Sequence, residues 1–365
     1  MVDPGPYMAR ALELARELSG KVSPGASVGC VIVKDGRVIA EGRHEGPGTP
    51  HAEAVALANA AAAARGAVAY TTLEPCCHHG NTPPCCDALI AAGVTEVHFS
   101  HIDPDQRVSG QGQARLEAAG VRVIVGEGET EARKINEGFI KHRSTGRPFV
   151  IAKFAASLDG KIAATSGDSR WVSGPQTLEW SQALRQRIDA IAVGAETVVV
   201  DNPQLTARVG DALAERQPLR VVLDSKGRTP SEANVLGQGA PTLIATTAAS
   251  PKDWRSAMTT AGAQIEVLPA DAGGRVDLPA LLDLVAARGV LTLLIEGGGV
   301  LHGSFFDQRL VDKVHAVIAP MIIGGATSAM AVAGQGASRM ADALRLHDVT
   351  VERLEDDMLV TGYAN

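Results

Sequence analysis

Aromatic side chains are scarce in this chain. Phe, Trp and Tyr make up 3% of its 365 residues, and Ala, Gly and Val carry the interior instead. Basic runs are also missing: no five consecutive Lys or Arg occur, and the net charge is −7. Nucleic-acid surfaces usually show a basic stripe, so no nucleic-acid partner is expected. No stretch of about 18 uncharged apolar residues is present, so no membrane association is expected either. The N-terminal segment carries charges right through its apolar pattern, unlike a signal peptide. Cysteine is nearly confined to one place, with four of the five falling between residues 76 and 86. An odd, clustered count makes a poor disulfide framework, and a reduced, cytoplasmic chain is the expectation. Clustered reduced thiols point to metal binding or catalysis.

The length predicts two domains. Met8, Leu12, Ala15 and Leu18 recur at helical spacing, predicting an amphipathic helix over 7–18. Apolar runs at 28–33 and 38–40, parted by Lys34-Asp35-Gly36, predict a hairpin. Residues 51–64 are almost all Ala, Val and Leu, predicting a helix buried on most sides. Strands at 68–72, 97–100 and 121–125 and helices at 85–92 and 111–119 complete a layered α/β pattern ending near 126. The polar segment 127–148 reads as a connector. The domains are therefore expected at 1–146 and 147–365. The second half alternates again, with strands expected at 149–154, 190–194, 219–224, 242–246, 264–268, 291–295 and 313–318. Its clearest helices are expected at 175–187, 277–287 and 301–307.

The cysteine cluster follows a His-Ala-Glu at residues 51–53. Zinc takes thiolate and imidazole ligands, and a catalytic site keeps a fourth position for water. His51, Cys76 and Cys85 would supply three ligands from two helix starts and a strand end. Glu53 would then shuttle a proton without binding metal, as in zinc nucleobase deaminases with H-x-E followed by P-C-x-x-C. Here eight residues, not two, separate Cys76 from Cys85, so spacing alone leaves alternatives. Cys76 with His79 forms a C-x-x-H, the two Cys-Cys pairs might together hold a structural ion, and all four thiols might simply be buried. A helix N-terminus favours a thiolate at Cys85.

A second constellation lies downstream. The apolar strand 291–295 runs into Glu296-Gly297-Gly298-Gly299, a turn whose backbone N–H groups suit a phosphate, although such turns also occur simply as tight turns. Lys153-Phe154-Ala155 precedes a polar turn. Ser169-Arg170-Trp171 offers a hydroxyl and an indole suited to a nicotinamide ribose wall. Thr197 and Asp201 to Arg208 end an apolar run with an acid, an amide and a cation; a capped turn with Arg208 at the surface is the alternative.

Both halves resemble one family. His51-Ala52-Glu53, Thr72-Leu73-Glu74-Pro75-Cys76 and Thr82-Pro83-Pro84-Cys85 are similar to the deaminase half of the bifunctional riboflavin-biosynthesis deaminase-reductases, long spacer included. Tyr7 to Leu12, Val28 to Val33 and Asp87 to Gly93 extend the likeness. The segments from 149 to Gly325 resemble the reductase half.

The resemblance implies a cytidine-deaminase-like layered α/β domain followed by a dihydrofolate-reductase-like α/β domain. It implies zinc on His51, Cys76 and Cys85, with Glu53 as proton shuttle and His44 near the substrate. Cys77 and Cys86 would pack beside the ion, with His78 and His79 as polar walls of the pocket. It places Ala155, Trp171, Thr197, Asp201, Ser225 and the turn Gly298, Gly299, Val300, Leu301, His302, Gly303 and Ser304 against NADPH. Ser169, Arg185, Leu205, Arg208 and Glu296 would face the substrate, the two arginines suiting its phosphate. Asp201 is a candidate proton donor or an orienter of the cofactor. The implied substrate is a small pyrimidine-nucleotide-like molecule.

Two positions depart from the family pattern. Gly25 stands where Asn usually helps hold substrate, its hydrogen bond left to water or Ser27, and Asn81 stands where Arg is common. They motivate an alternative in which only the reductase works and the deaminase half is a zinc-stabilised scaffold. A homo-oligomer, dimer or tetramer, is expected, with Ala319 to Gly325 as a subunit seam.

Overall fold

The structure is a computed structural model and describes residues 3–78, 83–106 and 108–364. His79 and Asn81, weighed above, lie outside the described residues. The chain divides between Arg147 and Pro148 into two compact units.

The first unit runs α1 (Pro6–Glu17), β1 (Gly29–Lys34), β2 (Arg37–Arg43), α2 (Ala52–Ala60), β3 (Val68–Thr71), α3 (Cys85–Ala92), β4 (Glu96–Phe99), α4 (Gln111–Ala118), β5 (Arg122–Val125), α5 (Glu129–Ile135) and α6 (Glu137–Thr145). Its sheet is ordered β2-β1-β3-β4-β5. The first two pairings are antiparallel and the last two parallel. Asp35 and Gly36 both take positive φ, 50° and 72°, as a two-residue hairpin turn requires. Met8, Leu12, Val31 and Val33 lock α1 onto the sheet.

Two expectations are corrected here. The segment 127–148 is no connector, because α5 and α6 belong to the first unit. Ala132 joins the core beside Met8 and Leu12, and the Asn136 side chain clasps Ser27 by accepting from its N–H at 2.8 Å and donating to its carbonyl at 2.9 Å. Nor is the alanine-rich helix buried on most sides. It ends at Ala60, continues as a short 3₁₀ turn, and exposes Ala58 and Asn59. Alanine favours helix whether buried or not, so an Ala run carries no burial signal.

The second unit runs β6 (Phe149–Ser157), α7 (Pro175–Arg185), β7 (Ala190–Gly194), α8 (Ala195–Asp201), β8 (Arg208–Val209), β9 (Ala212–Leu213), β10 (Leu219–Leu223), β11 (Thr242–Thr246), α9 (Lys252–Thr260), β12 (Gln264–Val267), α10 (Leu278–Ala287), β13 (Thr292–Ile295), α11 (Gly299–Asp307), β14 (Lys313–Ala319), β15 (His347–Leu354) and β16 (Asp357–Tyr363). The main sheet is ordered β12-β11-β10-β7-β13-β6-β14-β16-β15. Pairing is parallel up to β14 and antiparallel in the last two strands. Apolar clusters cover both faces, one around Leu281, Val285 and Phe305 and another around Ile188, Val235 and Met258. Two covered faces explain why the parallel strands read as continuous apolar runs. Pro175 opens α7 at a position where its missing N–H costs nothing, and Asp277 caps α10 by accepting from Ala280 N–H at 2.8 Å.

Candidate active sites

In the first unit, three elements deliver three soft ligands. His51 is the residue before α2, Cys85 is the first residue of α3, and Cys76 lies in the loop after β3. One ligand atom from each lies within 4.8 Å of the other two. His51 Nδ1 stands 3.2 Å from Cys85 Sγ and 3.6 Å from Cys76 Sγ, while Cys85 N–H donates to Cys76 Sγ at 3.4 Å. Zinc bond lengths of about 2.3 Å to sulfur and about 2.0 Å to nitrogen give a tetrahedral edge of roughly 3.5 Å, so the set fits the ion.

Glu53, on the first turn of α2, is buried with Oε2 3.4 Å from Cys85 Sγ. Burial raises its pKa, and the negative charge of Cys76 adds to the effect. The thiolate falls on Cys76, contrary to the helix-start argument. Hydrogen bonds from Cys85, then His51, lower Cys76 to about 4, whereas Cys85 goes up because its proton is shared with Cys76 and it is buried near Glu53. A bound cation would deprotonate both.

The other thiols are occupied elsewhere. Cys86 donates to Pro75 O at 3.3 Å and Cys77 approaches Gln111 Oε1 at 3.8 Å. His44 packs edge-on to His51, its Nδ1 3.2 Å from Pro50 O, and burial lowers its pKa so that it stays neutral. A side chain at Gly25 would begin 3.4 Å from His44 Nε2. Ser27 does not replace it, because its hydroxyl donates to Leu18 O at 3.1 Å and its backbone is held by Asn136.

Sequence motifs gave no role to Glu74, yet it organises this region. Its carboxylate accepts from the N–H groups of Asp103, Gly110, Gly112 and Gln113 at 2.9–3.1 Å. Gly112 is required there, since a Cβ would lie 2.2 Å from Pro75 O.

The second unit holds a cavity of about 810 Å³ at the C-terminal ends of β6, β13, β7 and β10. Open parallel sheets bind ligands at this edge, and the volume suits a nucleotide cofactor. Ala155, Ser169, Thr197, Asp201, Ser225, Glu296, Gly298, Gly299, Val300, Leu301 and Ser304 line it. Thr197 Oγ1 accepts from Gly298 N–H at 3.3 Å, and Ser169 donates to Asp201 at 3.3 Å. The glycines of the turn divide by cause. Gly298 has no foreign atom closer than 3.9 Å, leaving room for a ligand to meet the backbone. At Gly299 and Gly303 a Cβ would lie 2.1 Å from Met330 O and 2.0 Å from Ala333 O, so a crossing segment demands them.

Other expected residues stand apart from the cavity. His302 is fully buried with Nε2 3.2 Å from Ile295 O, and Gly303 faces the crossing segment. Trp171 is 67% exposed, and Leu205 lies in the core. Arg185 sits behind Glu296, donating to Oε2 through Nε at 2.9 Å and to Thr206 O at 3.2 Å. Arg208 borders a separate hollow of about 480 Å³ and is held by Asp211 O and Gln204.

Lys153 is the cavity residue that motif reading passed over. Its Nζ lies 3.3 Å from Glu296 Oε1, and a lone cation inside the apolar strand β6 was the available signal. Burial works against ionising Glu296, but Arg185 and Lys153 outweigh it and hold its pKa down.

A riboflavin biosynthesis protein RibD from Bacillus amyloliquefaciens is 38% identical over 98% of this chain and 95% of its own length. The chain belongs to the RibD family. The RibD protein of Escherichia coli is 39% identical, covering 92% and 93% of the two chains. Residues 3–101 match the cytidine and deoxycytidylate deaminase zinc-binding region, and residues 148–360 match the RibD C-terminal domain. The structure of Acinetobacter baumannii RibD superimposes with a TM-score of 0.87, at 35% identity over 98% of each chain. A diaminohydroxyphosphoribosylaminopyrimidine deaminase/5-amino-6-(5-phosphoribosylamino)uracil reductase from Thermotoga maritima gives 0.85, at 34% identity over 98% of each chain. RibD membership accounts for a zinc-type deaminase unit and a reductase unit in one chain. Among the described residues, no helix is long and apolar enough to cross a membrane.

Proposed function

We propose that residues 1–146 deaminate 2,5-diamino-6-ribosylamino-4(3H)-pyrimidinone 5′-phosphate, and that residues 147–365 reduce the ribosyl chain of the product. The result is 5-amino-6-ribitylamino-uracil 5′-phosphate. The observation that carries the first half is Glu53, a carboxylate buried against the His51, Cys76 and Cys85 cluster. Zinc on those three ligands supplies the acidity that makes a water nucleophilic at neutral pH. Glu53, its affinity for a proton raised by burial, takes the proton of the attacking water and returns it to the departing amine. His44, with Nδ1 turned to Pro50 O, offers Nε2 to the pyrimidine beside Gly25.

A scaffold-only reading accounts poorly for Glu53. Burying an acid costs stability, and a scaffold gains nothing in return.

In the second unit NADPH supplies the hydride. The N–H groups at the start of α11 receive its pyrophosphate, and the absent side chain of Gly298 lets it approach. Lys153 and Glu296 hold the sugar end of the substrate, with Arg185 keeping Glu296 ionised. Asp201, accepting from Ser169, orients hydroxyls at the cavity wall. We infer a cytoplasmic enzyme that works as a dimer or tetramer, since Ile322 in the expected seam is 69% exposed.

The test is mass spectrometry of the diaminopyrimidinone phosphate incubated with zinc-loaded protein, first without and then with NADPH. Exchange of the amine for oxygen by wild type and not by Glu53→Gln, followed by a ribityl product on adding NADPH, is expected. Reduction of supplied deaminated substrate without any amine loss would instead leave a reductase alone.

A further inference from the structure

We propose that Lys226 and Arg228, with Arg275, read the adenosine 2′-phosphate of NADPH and so set the preference for NADPH over NADH. The proposal rests on the second unit binding a nicotinamide dinucleotide. The cavity has two chemically different ends. Lys153 and Glu296 occupy the end at β6 and β13, while Ser225, Lys226, Arg228 and Arg275 line the end at β10. In the sheet order β6, β13, β7, β10, three strand spacings separate the ends, about 14 Å. The α11 N-terminus follows β13, between them. A dinucleotide with its pyrophosphate at α11 and its reactive ring beside Lys153 and Glu296 therefore puts its adenosine at β10.

What stands at β10 is cationic. A dinucleotide site that prefers NADH offers a carboxylate to the ribose 2′-hydroxyl, whereas one that prefers NADPH offers a cation. The acid in reach is Asp224, just past β10, and it is spent. Its Oδ1 accepts from Gly227 N–H at 2.9 Å, and Oδ2 accepts from Arg228 N–H, Thr229 N–H and Thr229 Oγ1 at 2.7–2.8 Å. Only 1% of Asp224 is exposed, so it shapes the turn that carries Lys226 and Arg228. The two other acids at this end are paired: Glu196 with Arg228 at 2.6 Å and Asp271 with Arg275 at 3.1 Å. Lys226 is exposed and has no ion pair among the described residues. The local balance is thus one positive charge in excess.

The neighbouring donors fit a phosphate as well. Ser225 Oγ accepts from Val276 N–H at 2.9 Å, which leaves its own hydrogen to donate. Arg275 reaches Ser304 Oγ on α11 at 3.1 Å, so its guanidinium lies toward the cavity. The Arg228–Glu196 pair is solvent-exposed and weakly held, so Arg228 can turn to a dianion at small cost.

The experiment titrates full-length protein with 2′,5′-ADP and with 5′-AMP by calorimetry, for wild type, Lys226→Ala/Arg228→Ala and Lys226→Glu. Wild type should bind 2′,5′-ADP more tightly. The double variant should weaken 2′,5′-ADP by about 10- to 100-fold, as expected for losing charge-assisted bonds. The change for 5′-AMP should be much smaller, and Lys226→Glu should act in the same direction. Both side chains are exposed, so thermal unfolding should match wild type. Equal losses for the two ligands, or none for 2′,5′-ADP, would overturn the proposal. Turnover separates it from the reading beneath it: wild type that binds 2′,5′-ADP selectively yet oxidises no NADPH with deaminated substrate would sink the reductase reading and leave the phosphate site standing.

Discussion

Glu53 Oε2 and Cys85 Sγ stand 3.4 Å apart, on the first turns of two different helices. The acid therefore reaches a zinc ligand without being needed as one. Glu53→Gln keeps the shape and loses the proton acceptor. Zinc content by atomic absorption should stay at the wild-type level while the deamination rate falls by about 10²- to 10⁴-fold. Loss of zinc in this variant would make Glu53 a ligand and refute the assignment.

The four clustered cysteines should separate into two pairs. Cys76→Ser and Cys85→Ser should each lose zinc. Cys77→Ser should retain it, since Cys77 is turned to Gln111. Cys86→Ala should also retain zinc but cost about 1–3 kcal/mol, because Cys86 is fully buried and donates to Pro75 O. Metal analysis of the four purified variants reads all of this, and zinc loss from Cys77→Ser or Cys86→Ala would redraw the site.

The Gly-rich turn allows a paired test. Gly303→Ala would drive a methyl against Ala333 O and should lower stability by about 1–3 kcal/mol through overpacking. Gly298→Ala meets nothing closer than 3.9 Å, so its melting temperature should hold while the KM for NADPH rises. Equal effects in both variants would mean that the two glycines serve one purpose.

His315 gives the second unit a pH dependence. Burial, then the charges of Lys313 and Lys153, lower its pKa to about 3, so it is neutral in the folded state and takes up a proton on unfolding. The stability it contributes is complete above the unfolded value of about 6.5 and is lost as pH falls toward 3, about 2 kcal/mol by pH 5. All three tryptophans lie in this unit, so their fluorescence follows its unfolding by urea. His315→Gln should flatten the change between pH 7 and pH 5, with His302, also held neutral by burial, supplying the remainder. An unchanged slope would remove His315 as its source.

Local signals were the legible ones. Asp35-Gly36 specified its hairpin because a turn depends on two residues, and His51, Cys76 and Cys85 were readable because ligand chemistry restricts residue type. Placement within the cavity was less so. Arg185, Leu205 and Arg208 share a segment or a charge with residues that line it, yet their side chains settle on Glu296, the core and Asp211 O. No periodicity reports where a side chain turns. The hairpin of β15 and β16 escaped notice because β15 is exposed along nearly its whole length and mixes Glu, Arg and Asp with its valines. Val198 to Val200 read as an apolar run but lie in α8, where tertiary packing overrides the β preference of a valine string.

The clasp between Asn136 and Ser27 bears on how this gene can be divided. Cutting where the apolar alternation stops, near residue 126, would leave the amide and carbonyl of Ser27 without their partner in a buried place and strip Ala132 from beside Met8 and Leu12. A deaminase intended to stand alone has to carry its polar tail through Arg147. In evolutionary terms, the point at which two ancestral genes were joined lies some twenty residues later than hydrophobicity alone would mark it.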